Sequence, residues 1–183
     1  MMKKIQAQLA RSMDFLGQCP LVVVTARRGA LNYAMPVAWV MGSDYDPPRV
    51  AMTLGAWNAT YPVLLESGEC VLNVVPPELA REVFELGSAH CDGKADKLAR
   101  FGLAWHDADS VNAAVLEGAF AALECRVVKK DEALGLFILK GLRFWLAEDW
   151  SAGRYHVLHS LGDVLYSDDG RRFARADLLG DKA

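Results

Sequence analysis

Residues 53–75 read TLGAWNATYPVLLESGECVLNVV. The stretch opens on the end of an apolar strand pattern, RVAMTL at 49–54, and closes in a second one, ECVLNVV at 69–75. Between them, NATYPVLLESG carries the marks of a short helix. Asn58 can serve as its N-cap, or Thr60 can do so with Pro62 two positions on, and Gly68 closes it. A helix this brief between two strands does not fit a regular β-α-β crossover, and the rest of the chain is read around that point.

Upstream, PLVVVTAR (20–27) is an apolar, β-branched run and predicts a buried strand. RGALN then makes a turn, and YAMPVAWVMG (33–42) predicts a second strand, so the pair forms a hairpin with a glycine-containing loop. Pro36 lies inside that second strand. Proline cannot donate to a ladder, so it marks an edge, a bulge, or a place where something other than a strand lies alongside. DYDPPRV is a proline-stiffened connection into the next strand. The N-terminal MMKKIQAQLARSMDF predicts an amphipathic helix over roughly residues 3–16. Gln6, Gln8 and Arg11 interrupt what a cleaved signal would need as an apolar core.

Downstream, PPELAREVFELG predicts a short helix with proline at its start and glycine at its end. SAHCDGKADKLARFGL reads as a polar loop leading into one or two helical turns, and Trp105–Asn112 as a further loop. AFAALECRVVKK and GLFILKGLRFWLAE predict two long strands joined at DEAL, and RYHVLHSLGDVLYSDDGRRF a short hairpin-like ending. Strands dominate, helices are short, and the order is not a β-α-β alternation. The expected class is mainly β (α+β), an antiparallel barrel with short helices at its rim, formed by a single domain over residues 1–183.

With 183 residues the chain is long enough for one domain with a proper core. A formal net charge of −3, with both signs interspersed, leaves no basic block for nucleic acid. There is no run of about 18 uncharged apolar residues that would span a membrane. The cysteines, Cys19, Cys70, Cys91 and Cys125, are far apart and form no C-x-x-C pair. They read as reduced thiols in a cytoplasmic protein, with Cys70 and Cys125 buried in strands.

Asn58 and Thr60 at a strand-to-helix junction have two readings. One is plain capping of orphan N–H groups. The other is a phosphate held at the helix start, with Lys94 and Lys97 of DGKADK as nearby cations. No nucleophile, metalloprotease or nucleotide-binding motif is present: G-x-S-x-G, H-E-x-x-H, G-x-x-x-x-G-K and G-x-G-x-x-G are all missing. His156-x-x-His159 reads as a metal pair, a nicotinamide contact, or two ordinary residues near a strand. Cys91 reads as a redox or gating thiol or as a bystander.

Taken in order, these pieces form a pattern: PVAWV after a VVVTAR…G…N hairpin, PPRVAMTL…NATY…LLESGECVLNVV, ELGSAHCDGKADKLARFGL, then ALECRVV. From about Pro20 to Tyr166 the chain resembles the flavin reductase-like, FMN-binding split-barrel family, in particular its flavoredoxin-like branch. The resemblance implies a six-stranded antiparallel split barrel with FMN at a homodimer interface. It implies ring contacts from Met35, Pro36, Val37, Ala38 and Trp39, with Trp57 nearby. Phosphate and ribityl contacts fall to Thr53, Leu54, Asn58 and Thr60, with Ser88 and Lys97 from the small-residue and DK loop. Relatives often carry basic residues where this chain has Gly55 and Ala56, and an aromatic residue where it has Leu98. Those departures leave phosphate binding to Lys94, Lys97 or an arginine of a partner subunit.

The implied activity is hydride transfer from NADH or NADPH to flavin, with no dedicated catalytic side chain and no metal. The reduced flavin then serves an oxygenase or redox-protein partner. A flavoredoxin-type FMN electron carrier without pyridine-nucleotide turnover is the alternative, and a non-redox flavin-binding module is a third.

Overall fold

The structure is a computed structural model that describes residues 3–9, 20–90, 93, 95–150, 155–160, 165–168 and 171–174. Thirteen strands are present among them: β1 (Lys4–Ala7), β2 (Val22–Arg28), β3 (Leu31–Val37), β4 (Val40–Tyr45), β5 (Pro48–Thr53), β6 (Glu69–Val74), β7 (Trp105–Asp107), β8 (Ala114–Leu116), β9 (Ala121–Asp131), β10 (Leu136–Ala147), β11 (Leu158–Ser160), β12 (Leu165–Asp168) and β13 (Arg171–Ala174). The helices are α1 (Thr60–Ser67), α2 (Ala80–Ser88) and α3 (Lys97–Arg100), with a single 3₁₀ turn at Pro77–Leu79 leading into α2.

The main sheet is antiparallel and runs β3-β2-β6-β9-β10-β5-β4, with β1 pairing β10 beside that path. Its two edges, β3 and β4, are separated only by Ala38 and Trp39 in sequence. Counted as one bent stave, β3 and β4 close the path into six staves, a split barrel with its seam at Ala38–Trp39. The expected continuous strand over 33–42 is therefore broken in two.

Period-two alternation explains why β2 is apolar on successive residues. Val22 and Val24 join the barrel interior with Met52, Leu72, Phe137 and Phe144. Val23 faces the other way, into a second core with Ala34, Val83, Leu86, Leu98 and Leu116. That second core is what α2 and α3 cover, both packing on β3, while α1 packs on β2. Cys70 and Cys125 are fully buried cross-strand neighbours with free thiols, as their place in strand patterns suggests.

Two further expectations fail. The amphipathic helix expected over 3–16 is overturned at its start: Lys4–Ala7 is a strand paired with Phe144–Ala147. Residues 10–19 lie outside the described ones. β10 pairs β5 along its first half, which leaves the edge of its second half open for another strand, and a sheet edge in need of a partner overrides a weak helix preference. Lys4 follows, its Nζ donating to the carbonyls of Leu116 at 3.1 Å and Glu117 at 3.0 Å. The loop expected at Trp105–Asn112 instead begins with β7, which pairs with β8. That hairpin is tied down by buried polar groups. Thr25 Oγ1 donates to Ala114 O at 2.5 Å, Leu116 N donates to Asn73 Oδ1 at 2.9 Å, and Asn73 Nδ2 donates to Val23 O at 3.0 Å. The fully buried Glu124 carboxylate holds the following loop, accepting from Trp145 Nε1 at 2.7 Å and Ser110 N at 2.5 Å.

Candidate functional site

Among the described residues β3 has a single sheet neighbour, β2, so from Met35 on its other backbone edge is bare of a partner strand. Proline is tolerated at position 36, opposite Val23, on that account. Beyond Val37 the chain leaves the sheet, and Trp39 O accepts from Thr53 N at 3.0 Å as β4 begins. The seam opens into a cavity of about 160 Å³ lined by Met35, Pro36, Val37, Ala38, Trp39, Thr53, Leu54, Gly55, Trp57 and Asn58. None of these side chains is charged. Trp39 and Trp57 stand 73% and 78% exposed at its mouth, so two large indoles frame the slot instead of filling the core.

Trp57 is held by a tight turn. Asn58 N and Nδ2 both donate to Gly55 O, at 3.0 and 3.1 Å. The indole lies on Gly55: a Cβ there would stand 2.2 Å from the ring, so any other residue would displace the exposed indole from this position. This turn also decides between the readings of the junction. The N-cap of α1 is Ala59, with helical φ and ψ and no side-chain capping bond. Neither Asn58 nor Thr60 caps the helix. Asn58 bonds backward to the turn, and the buried Thr60 has no hydrogen-bond partner for its hydroxyl among the described residues. Gly68 does close α1, at φ 65°.

A second cavity, of about 340 Å³, adjoins the first and shares Met35, Pro36, Trp57 and Asn58 with it. It adds Ala59, Thr60, Gly87, Ser88, Ala89, His90 and Lys97. Among the described residues Lys97 is the single lysine or arginine in that lining and no carboxylate shares it; Lys97 is only 7% exposed. α3 carries it at its first turn and is capped by Asp96, whose Oδ1 accepts from Leu98 N at 2.9 Å and Ala99 N at 3.1 Å. α2 supplies the opposite wall. It reaches β3 through Gly87, where an added Cβ would lie 2.7 Å from Pro36 Cγ. Ser88 lies beside the cavity, with its hydroxyl donating to Phe84 O at 3.0 Å.

All twelve residues singled out from the sequence line one cavity or the other: Met35 to Trp39, Thr53, Leu54, Trp57 and Asn58 the apolar one, and Thr60, Ser88 and Lys97 the polar one. Gly55, Ala59, Gly87 and Ala89 line them too and were not anticipated. The glycine expected at the end of the PPELAREVFELG helix was the available signal: α2 runs one residue past it, and a glycine within a helix suggests that another element comes close. Lys94 and Cys91 lie outside the described residues. His156 is exposed and His159 half-buried. Among the described residues no three His, Cys, Asp or Glu side chains are grouped to hold a metal, and no helix is long and apolar enough to cross a membrane.

Fold and slot define a split barrel with a two-part cavity at its seam. Residues 18–172 match the model of the flavin reductase like domain, and the chain belongs to that family. The FMN-binding domain of a flavin reductases-like enzyme from Shewanella baltica is similar in structure, with a TM-score of 0.85 at 21% identity, over 94% of this chain and 97% of that one. Flavoredoxin of Desulfovibrio vulgaris (Miyazaki F) superposes with a TM-score of 0.73 at 21% identity, over 86% of this chain and 90% of that one. An uncharacterized protein of Archaeoglobus fulgidus is 29% identical over 98 residues, 54% of this chain and 55% of that protein, so the match spans about half of its length. The fold is that of the FMN-binding split-barrel domains.

Proposed function

We propose that the chain binds FMN at the seam and acts as an NADH- or NADPH-dependent flavin reductase. The observation that carries this reading is the pairing of an uncharged, indole-framed slot with an adjoining polar cavity holding a buried lysine. FMN has the same division, an apolar planar ring joined by a polar chain to a phosphate dianion. The bare edge of β3 offers backbone groups to the ring edge along Met35–Ala38, with Trp39, Leu54 and Trp57 as apolar walls. Asn58 falls at the join between the two parts, and Thr53 lines the apolar part. Thr60 and Lys97 supply a hydroxyl and a cation for the phosphate, and Ser88 borders the same cavity. Bound flavin supplies the hydride-accepting chemistry; the protein orients it and excludes water. No acid–base pair is required of the chain, which agrees with the uncharged lining of the slot.

A homodimer belongs to this reading. Trp39 and Met41 are exposed beside Leu136 along a third, apolar cavity of about 440 Å³ that continues from the slot. A second copy of the chain covering that face would shield Trp39 and close the open side of the ring site. An oxygenase or another redox protein is the proposed consumer of the reduced flavin. The flavoredoxin-type carrier reading shares the same site. It is favoured by the burial of Lys97, which suits a firmly held phosphate.

Anaerobic titration with FMN, riboflavin, NADH and NADPH separates the readings. Micromolar or tighter FMN binding, with bleaching by a pyridine nucleotide, is expected for the reductase. Tight FMN without bleaching turns the assignment to the carrier, and failure to bind FMN refutes both. Lys97→Ala should weaken FMN by about ten-fold or more, since a charge-assisted hydrogen bond is worth roughly 1.5–3 kcal/mol, and should leave riboflavin nearly unchanged.

A further inference from the structure

We propose that Asn32 and Asp96 form a clamp that positions Lys97 at the polar cavity and thereby sets the preference for a phosphorylated over an unphosphorylated flavin. The inference rests on the FMN reading of that cavity.

Asp96 immediately precedes Lys97, and its two oxygens face different elements. Oδ1 caps α3, as described. Oδ2 accepts two bonds from one residue of β3, Asn32 N at 3.1 Å and Asn32 Nδ2 at 2.7 Å. Asn32 is fully buried, and its Oδ1 in turn accepts from Arg27 Nε at 2.9 Å. Arg27 reaches Asp107 at 2.6 Å and lies 4.9 Å from the ring centre of Trp105. A connected line of polar groups thus runs from the β7 hairpin through β2 and β3 to the residue that caps α3.

Two consequences follow for Lys97. A helix of four residues has no stability of its own, so its orientation comes from its anchors. One anchor is Leu98 in the second core; the other is Asp96, fastened to β3. The strand whose edge forms the apolar slot therefore also locates the cation, and the spacing between the two parts of the cavity is fixed by a single element. The second consequence is electrostatic. An aspartate next to a phosphate site would ordinarily compete for the cation. Here four N–H groups occupy the Asp96 carboxylate, which commits both of its oxygens to β3 and the start of α3.

Affinities for FMN and riboflavin, read by flavin fluorescence on the full chain with melting temperatures alongside, test the clamp. Asp96→Asn keeps an oxygen for the α3 cap but turns an NH₂ toward the two donors of Asn32. Asn32→Ala removes the side-chain half of the clamp. Each should lower the FMN-to-riboflavin affinity ratio about three- to ten-fold, the range set by one lost hydrogen bond, with riboflavin affinity changed less than about two-fold. In a Lys97→Ala background, Asn32→Ala should leave the ratio where Lys97→Ala alone puts it, because the clamp acts only through that side chain. Should Asn32→Ala fail to fold, Asp96→Asn carries the same comparison. If Lys97→Ala lowers the ratio while both clamp variants lower only the melting temperature, the clamp is structural and the inference is overturned, with the phosphate site intact. If Lys97→Ala itself leaves the ratio unchanged, the phosphate reading fails, and the clamp loses its function with it.

Discussion

Gly87→Ala tests the spacing on which the site depends. The substitution replaces a glycine in the last turn of α2, where helix propensity alone would stabilise by up to about 1 kcal/mol through backbone entropy. At this position the new Cβ would lie 2.7 Å from Pro36 Cγ and 3.3 Å from Pro36 Cδ. Carbon pairs sit comfortably at about 3.5–4.0 Å, so roughly 1 Å must be found by moving α2 away from β3. The pyrrolidine ring cannot rotate aside, since it is closed on its own backbone. Overpacking of this kind costs about 1–3 kcal/mol. Set against the helix term, the net expectation is destabilisation by about 1 kcal/mol, a melting temperature lower by about 2–4 °C for a chain of this size. Pro36→Ala removes Cγ and Cδ. In that background Gly87→Ala should change sign and raise the melting temperature by a similar amount. Four thermal melts followed by circular dichroism form the complete cycle. A parent protein stabilised by Gly87→Ala, or an effect indifferent to Pro36, would refute the close approach of α2 to β3. Moving α2 also widens the polar cavity, so FMN affinity should fall with stability in the single variant.

Thr60→Val keeps the shape of the side chain and removes its unpartnered hydroxyl. It should leave stability within about 0.5 kcal/mol and narrow the gap between FMN and riboflavin affinity; a stability loss the size of a helix cap would contradict the α1 geometry. Phe137, 1% exposed and edge-on to Tyr61 with ring centres 5.6 Å apart, should cost about 3–5 kcal/mol when replaced by alanine, measured by urea unfolding. Burial pushes the Cys125 thiol well above its ordinary range, so Cys70 and Cys125 should escape alkylation at pH 8 in the folded protein; rapid labelling of either would overturn their placement. Glu69 accepts from Asn112 N and from Arg126, both at 2.9 Å, and these bonds hold its carboxyl below the usual value against the opposing effect of burial. A depressed folded-state value means stabilisation that is present above the unfolded value of roughly 4.3 and lost as pH falls through the folded one. Glu69→Gln should therefore flatten the acid limb of the melting-temperature profile, and parallel profiles would show the bond to be immaterial.

The class of fold was legible because local patterns and tertiary pairing agree over most of the chain. The β2 run and the glycine ending α1 each have one physical reading, and the structure bears it out; of the three readings of the proline inside β3, a sheet edge is the one the structure shows. Lys4–Ala7 was misread because its partner, the second half of β10, lies more than a hundred residues away; nothing local records an open sheet edge. β7 was missed for a related reason. It is three exposed residues held by a long-range bond from Arg27 and by pairing to β8, not by an apolar alternation. At the site, the residue types at the helix start were informative and their bonding was not. Asn58 and Thr60 have the chemistry of caps, but the turn onto Gly55 captures the amide of Asn58 and leaves α1 to begin on Ala59.

On the proposed FMN site, the bare edge of β3 would link loading to folding. In a closed barrel every stave is hydrogen-bonded on both sides; here one stave is finished on one side only, at the seam where β3 gives way to β4. Local opening should begin at such a place, with amide exchange faster along Met35–Val40 than in β6 or β9. A ligand lying along that edge supplies partners the fold leaves wanting, and whatever binds only the folded chain stabilises it by mass action, about 2.7 kcal/mol when free ligand stands at about 100 times its Kd. The emptied and the loaded protein would then differ less in shape than in lifetime, and supply of the ligand would govern how long each molecule survives.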